Sequence, residues 1–305
     1  MKRVTQSILS AYKPLHAGDD AMICAETGSG KTAAVMLPII DKLLEQGIES
    51  HEGDIDGDWS ARPEVLVVSP TRDLAIQLGT EALKFSGETK LKTAVYYGGT
   101  NVHIQRKHAR GANILVCTPG RLKDMMTPKN GRPASLHLGA VNHFILDEAD
   151  QLLDQGFLQD SREIHQAIVE QRTEADKDKA SLQTVMLSAT FEDSVQGLAR
   201  SVLRKGYNFI AVGKVGAACR QVEQVFVQLA GETKKDLLQE EIKKCMMENS
   251  KGKILIFCNT KRFADFLGVW ISEYLPKLGL VHLCYKLSKK DLRLKGQLQM
   301  HDNAR

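Results

Sequence analysis

No run of about 18 apolar residues occurs in the 305-residue chain, so nothing in it reads as a membrane-spanning helix. The opening stretch MKRVTQSILSAYKPLHAGDD carries basic residues without an apolar core, so a secretory signal is not expected. Proline is scarce at 8 residues, and the 24 glycines follow no repeat, which excludes collagen-like and low-complexity chains. The 6 cysteines, at 24, 117, 219, 245, 258 and 284, form no CxxC pair and no Cys/His cluster at metal spacing. Cys24, Cys117 and Cys258 sit inside apolar runs, so buried free thiols and a reducing, intracellular setting are expected. Nucleus, cytoplasm and organelle remain open. Charge of one sign is also lacking: 41 Lys and Arg face 37 Asp and Glu, a net +4. The surplus is local, because residues 251–305 hold 11 basic against 4 acidic side chains. A modest basic tail is compatible with a polyanionic partner, although a solvated surface is its commoner meaning.

What is present is the composition of an ordinary globular chain, 43% hydrophobic and 26% charged, with room for two domains. Short apolar runs at 21–25, 65–69, 93–97, 114–117, 143–146, 184–187 and 209–212 alternate with longer stretches of helical periodicity, such as 33–46 and 73–85. That alternation predicts an α/β fold, a parallel sheet wound on both faces by helices. Residues 50–62 are acidic and glycine-containing and read as a surface loop; 170–183 reads as a loop or an exposed helix end. The sequence GKVGAACR at 213–220 interrupts the pattern, which places a first domain at 1–213 and a partial second one at 220–305. In the second, strands are expected at 222–229, 253–258 and 280–284, and helices at 234–247, 262–273 and 289–300.

The segment Ala25, Glu26, Thr27, Gly28, Ser29, Gly30, Lys31, Thr32 has P-loop form, with a strand before it and a helical pattern after it. Its glycines let successive N–H groups and the helix N-terminus turn toward one anion. Lys31 suits the β- and γ-phosphates of a nucleotide, and the Thr32 hydroxyl suits magnesium. A partner acid belongs at the end of another buried strand, and HFILDEAD at 143–150 supplies one. There Asp147 is the expected metal-site acid, and Glu148 is placed to deprotonate a water attacking the γ-phosphate.

The ordered set AETGSGKT, PTRDLA, GG, TPGR, DEAD and SAT resembles the DEAD-box RNA helicases, over roughly residues 5–300. The resemblance implies two RecA-like domains, ATP and magnesium in the cleft between them, and RNA lying across both. It further implies that Lys31, Asp147 and Glu148 are catalytic and that Pro70, Thr71, Arg72, Gly98, Gly99, Thr118, Pro119, Gly120 and Arg121 grip the RNA backbone. Such contacts are independent of base sequence and sensitive to salt. From residue type alone Arg72 and Arg121 read as ordinary surface residues. By the same resemblance, Asp150 with Ser188, Ala189 and Thr190 couples ATP state to RNA opening. RNP proteins would be further partners, and no membrane is involved.

Four departures from the family pattern stand out. Ile8 falls where the adenine-reading Gln is expected, with Thr5 in place; Gln6, two positions early, is the nucleotide-binding candidate the resemblance leaves there. Asp73 replaces a Glu. Lys290 replaces a Gln, while Arg293 keeps its place. The chain reaches Arg305 before any arginine-finger segment, from which a truncated second domain with little hydrolysis of its own is expected. The main reading is an ATP-dependent RNA helicase that unwinds short duplexes or remodels RNPs. The alternative is a catalytically incomplete ATP- and RNA-binding module. An unrelated P-loop NTPase would leave PTRDLA, TPGR and SAT unexplained.

Overall fold

The computed structural model of the chain describes residues 6–26, 28–49, 61–128, 134–175, 181–213, 223–229, 231, 233–248 and 254–274. Two compact units result, Met1–Val222 and Glu223–Arg305. The first runs α1 (Gln6–Ala17), β1 (Ala21–Ala25), α2 (Lys31–Glu45), β2 (Val65–Val68), α3 (Arg72–Ser86) and β3 (Thr93–Tyr96). It continues with α4 (Val102–Ala109), β4 (Ile114–Cys117), α5 (Pro119–Met126), β5 (His143–Leu146) and α6 (Ala149–Asp154). Then come α7 (Leu158–Ala175), β6 (Gln183–Ser188), α8 (Asp193–Val202) and β7 (Asn208–Val212).

All seven strands pair in parallel, in the order β3-β4-β2-β5-β6-β1-β7. The central strands are apolar on both faces, as a sheet covered twice requires. Alternation along each strand divides the core in two. Val65, Val67, Ile114, Val116, Ile145, Val185 and Leu187 face a layer built with Leu15 of α1, Ile39 and Leu43 of α2, and Leu78 of α3. Leu66, Val68, Leu115, Cys117, Phe144, Leu146 and Met186 face the opposite layer, with Leu122 of α5, Leu152 of α6, Ile164 of α7 and Leu198 of α8. The α/β expectation holds, and the seven apolar runs are the seven strands to within a residue or so at their ends. Residues 170–175 complete α7 rather than forming a loop.

One buried polar group fastens this layering. Asp20, just before β1, accepts from the amides of Thr184 at 2.9 Å and Arg204 at 2.8 Å. Its Oδ1 also takes Arg204 Nε at 2.9 Å and Nη2 at 2.6 Å. Buried carboxylates persist where every lone pair finds such a partner.

In the second unit, α9 (Lys234–Glu248) and α10 (Lys261–Tyr274) occupy the expected helical stretches. Ile242 and Ile271 pack there with Ile254, Ile256 and Trp270. Residues 223–229 and 254–258 form no strand among the described residues, contrary to the sequence reading. Apolar alternation marks a chain suited to a sheet, yet a strand exists only once a ladder partner supplies its hydrogen bonds. The expected strand at 280–284 and helix at 289–300 lie outside the described residues.

Candidate active site

All six motifs follow the carboxyl ends of parallel strands: AETGSGKT after β1, PTR after β2, GG after β3, TPGR after β4, DEAD after β5 and SAT after β6. They therefore share one edge of the sheet, the edge where open α/β sheets hold ligands.

The cradle begins with Gly30, whose φ of 89° caps α2 in the left-handed region, where a side chain would be strained. This cap starts α2 at Lys31, two residues before the apolar pattern suggests. Ser29 N–H donates to Glu26 O at 3.2 Å, closing the turn. The Ser29 carbonyl is held from α1 by the Ser7 hydroxyl at 3.2 Å, a contact that no motif announced. The Ser29 hydroxyl itself is buried without a partner, and the Lys31 ammonium donates to Ala25 O at 2.6 Å. Thr32 follows in the first turn of α2, half-buried. Thr27 and the side chain of Gln6 lie outside the described residues, while Ile8 packs against the core from α1.

Beside this turn, Asp147 is buried, and its amide donates to Val68 O at 2.9 Å. Burial, then the neighbouring Glu148 carboxylate, push its acid strength down, raising the pKa to about 7 although Lys31 pulls the other way. Burial also raises Glu148, and the Lys31 ammonium opposes that shift as well. Glu148 caps α6 with φ 50° and ψ 56°, a left-handed backbone that an L side chain rarely adopts. Its carboxylate accepts from the Gln151 amide. The third acid, Asp150, turns toward β6. Its Oδ2 accepts from Ala189 N, Thr190 N and Thr190 Oγ1, each at 3.2 Å. The Thr190 N–H is shared with Ser188 Oγ, which accepts from it at 3.3 Å, and the Cys24 thiol donates to Thr190 O at 3.8 Å. Desolvation raises that thiol to about 11, which keeps it protonated and inert. Cys24 and Cys117 are buried free thiols as expected; Cys258 is half-exposed rather than buried, in a stretch that forms no strand among the described residues.

The other motifs gather across β2, β4 and β3. Thr71 caps α3, its hydroxyl accepting from Leu74 N at 3.3 Å, and Pro70 is buried behind it. The Arg72 guanidinium lies over the Tyr97 ring at 5.6 Å. Gly99, at φ +78°, is packed so closely that a Cβ there would stand 1.8 Å from Arg72 Nη2; Gly98 has open space. Thr118 and Pro119 open α5 and are buried, while Gly120 is exposed. Arg121 is no surface arginine. It is buried and donates Nη2 to Thr100 O at 3.0 Å, leaving Nε and Nη1 without partners. Tyr97 and Thr100, which hold the two arginines, carried no sequence signal beyond adjacency to Gly98 and Gly99.

Two groups of residues thus share the sheet edge, carboxylates and a lysine at a glycine-capped turn, and two arginines with two helix starts. The family model for DEAD/DEAH box helicases matches residues 5–198. The chain belongs to the DEAD/DEAH box helicase family. Its curated relatives include the probable ATP-dependent RNA helicase DDX4 of Pelophylax lessonae, 38% identical over 258 residues, or 84% of this chain and 33% of that protein. The ATP-dependent RNA helicase vasa of Drosophila melanogaster is 41% identical over 260 residues, 85% of this chain and 35% of the fly protein. This DEAD-box chain therefore spans about a third of the length of the curated relatives it matches. Among solved structures, the DEAD-box helicase Mss116 bound to ssRNA and UDP-BeF aligns with a TM-score of 0.74 at 27% identity, covering 94% of this chain and 56% of that one. A DEAD box protein from Methanococcus jannaschii aligns at 0.55 and 30% identity, covering 94% and 68%. The DEAD-box sheet described above is RecA-like.

Among the described residues no helix is long and apolar enough to cross a membrane.

Proposed function

We propose that the chain binds ATP and RNA along this edge of the sheet and belongs to an ATP-dependent RNA helicase that separates short duplexes or remodels RNPs. The observation that carries the reading is the alignment of all six motifs at the carboxyl ends of one parallel sheet. The residues fit a nucleotide with its metal. The partnerless Ser29 hydroxyl and the Lys31 ammonium are donors for phosphate oxygens, and a buried carboxylate with a raised pKa at Asp147 gains from a cation. Thr32 and Asp147 would hold magnesium, which neutralises phosphate charge during in-line displacement. Glu148 takes the proton of the attacking water, and its backbone cap fixes where its carboxylate starts. Asp150 transmits the state of that acid pair to Ser188, Ala189 and Thr190. Arg72 and Arg121 supply guanidinium forks to RNA phosphates, and the N–H groups at the starts of α3 and α5 add to them. Free buried thiols at Cys24 and Cys117 suit an intracellular protein.

Hydrolysis of ATP by the purified chain, with and without single-stranded RNA and against Lys31→Ala, tests this reading. RNA-stimulated turnover lost in the variant supports the helicase reading. Nucleotide and RNA binding without turnover supports the non-enzymatic module, and absence of nucleotide binding by the chain refutes both.

A further inference from the structure

Away from the motifs, α1 and α2 pack side by side and bring one imidazole between two carboxylates. His16 lies in the last turn of α1. Asp41 and Glu45 are four residues apart on α2, a spacing that puts both on one face. His16 Nε2 stands 3.7 Å from Asp41 Oδ2 and 3.2 Å from Glu45 Oε2. The three ligand atoms lie within 4.8 Å of one another. Nε2 is shielded from solvent and makes no hydrogen bond, although the Glu45 oxygen is near enough for one. Tyr12, one turn earlier on α1, stacks on the imidazole with centroids 5.7 Å apart and planes at 9°. Its hydroxyl donates to Asp41 Oδ2, so both the ring and one carboxylate are oriented by the same side chain.

Two carboxylate oxygens beside a shielded imidazole nitrogen that bonds to neither form a donor set for an ion seated between all three. A tetrahedral zinc with nitrogen and oxygen bonds of about 2.0–2.1 Å has ligand-to-ligand edges of about 3.3 Å. The separations of 3.2 and 3.7 Å from Nε2 lie on either side of that value. Magnesium and calcium favour all-oxygen shells, whereas an imidazole with carboxylates suits zinc and its neighbours. We propose that His16, Asp41 and Glu45 bind a divalent transition cation of the zinc class, with water completing its coordination. The ion fastens α1 to α2. Because Ser7 of α1 holds the Ser29 carbonyl, the same clamp steadies the phosphate turn from outside the chemistry. None of the three residues belongs to the nucleotide or RNA groups, so this inference stands apart from the helicase reading.

The test titrates the EDTA-stripped 305-residue chain with Zn2+ by calorimetry, in excess Mg2+, and with Co2+ by visible absorption. The wild-type chain is expected to bind one Zn2+ that is lost in His16→Gln and Glu45→Gln, each weakening it by at least about tenfold. A tetrahedral Co2+ band and a Zn2+-dependent rise in Tm should disappear with the same substitutions. Binding of a fluorescent ATP analogue should be unchanged. Equal Zn2+ affinity and stoichiometry in both variants, or no binding by the wild type, overturns the proposal. Should His16→Gln fail to fold by circular dichroism, Glu45→Gln, whose side chain is 61% exposed, decides alone.

Discussion

One oxygen of Asp150 holds Thr190 twice: Oδ2 accepts from its amide and from its hydroxyl, each at 3.2 Å. The last acid of the DEAD tetrad is thereby tied to the turn after β6, with the Ala189 amide as a third donor. Asp150 is thus anchored to a strand other than the one that delivers it.

Thr190→Val removes the hydroxyl while leaving both amides on the carboxylate. Stability should fall by only about 0.5–1.5 kcal/mol, the usual net worth of one hydrogen bond. Affinity for a fluorescent ATP analogue is expected to stay within about twofold of wild type, and stimulation of turnover by RNA should be lost. Full stimulation in the variant would show that the hydroxyl transmits nothing.

Gly99→Ala sets a methyl group against Arg72 Nη2 and forces an L residue into φ +78°. The backbone cost is about 1–2 kcal/mol, and the guanidinium must leave the Tyr97 face. Fluorescence anisotropy with a labelled single-stranded RNA should show weaker binding and a shallower salt dependence, with nucleotide affinity unaltered. Gly98→Ala, where space is open, serves as the mild control.

The buried His143 predicts an acid sensitivity unrelated to the motifs. Desolvation lowers its pKa to about 4, helped by Lys42 and Arg172, while the 2.7 Å bond to Gln183 Oε1 opposes the shift. The unfolded chain, with an ordinary histidine near 6.5, binds the proton first as pH falls. Stability is therefore full above pH 6.5 and declines toward pH 4, by roughly 3 kcal/mol at most. Urea melts of His143→Gln across that range should be flatter than those of wild type. Parallel profiles would assign the acid loss to other groups.

Asp20→Ala strips two amides and the Arg204 guanidinium of their acceptor. Arg204 is 45% exposed and can rehydrate, so the loss should sit near the low end for a broken buried pair, about 3 kcal/mol. Chemical denaturation measures it, and a change under about 1 kcal/mol would contradict this account.

The architecture was legible because the parallel strands are buried on both faces. Runs such as 65–68 and 144–146 had to be continuously apolar, and turns between them had to carry glycine or capping residues. Motif positions were equally readable, since each lies where a strand gives way to a turn. The inward rotation of Arg121 was not readable, nor was the support of Arg72 by Tyr97, because both depend on turns after different strands meeting, β4 with β3 for Arg121 and β2 with β3, across the intervening β4, for Arg72. Residues 223–229 misled for the same reason: alternation reports what a segment could pair with, and pairing is a property of two segments. The His16, Asp41 and Glu45 grouping arises only when α1 folds onto α2, so no spacing rule along the chain would have found it.

Parallel strands stand about 4.8 Å apart, and those between β4 and β1 are locked into a core packed on both sides. The rail carrying Lys31 and Asp147 at one end and Arg72 and Arg121 at the other is therefore a ruler with fixed graduations. Within this unit, ligand arrival cannot slide the marks; it can only turn the pointers. Lys31 now rests on the Ala25 carbonyl and Arg121 on the Thr100 carbonyl, and the release of those two cations is the movement that this geometry leaves free.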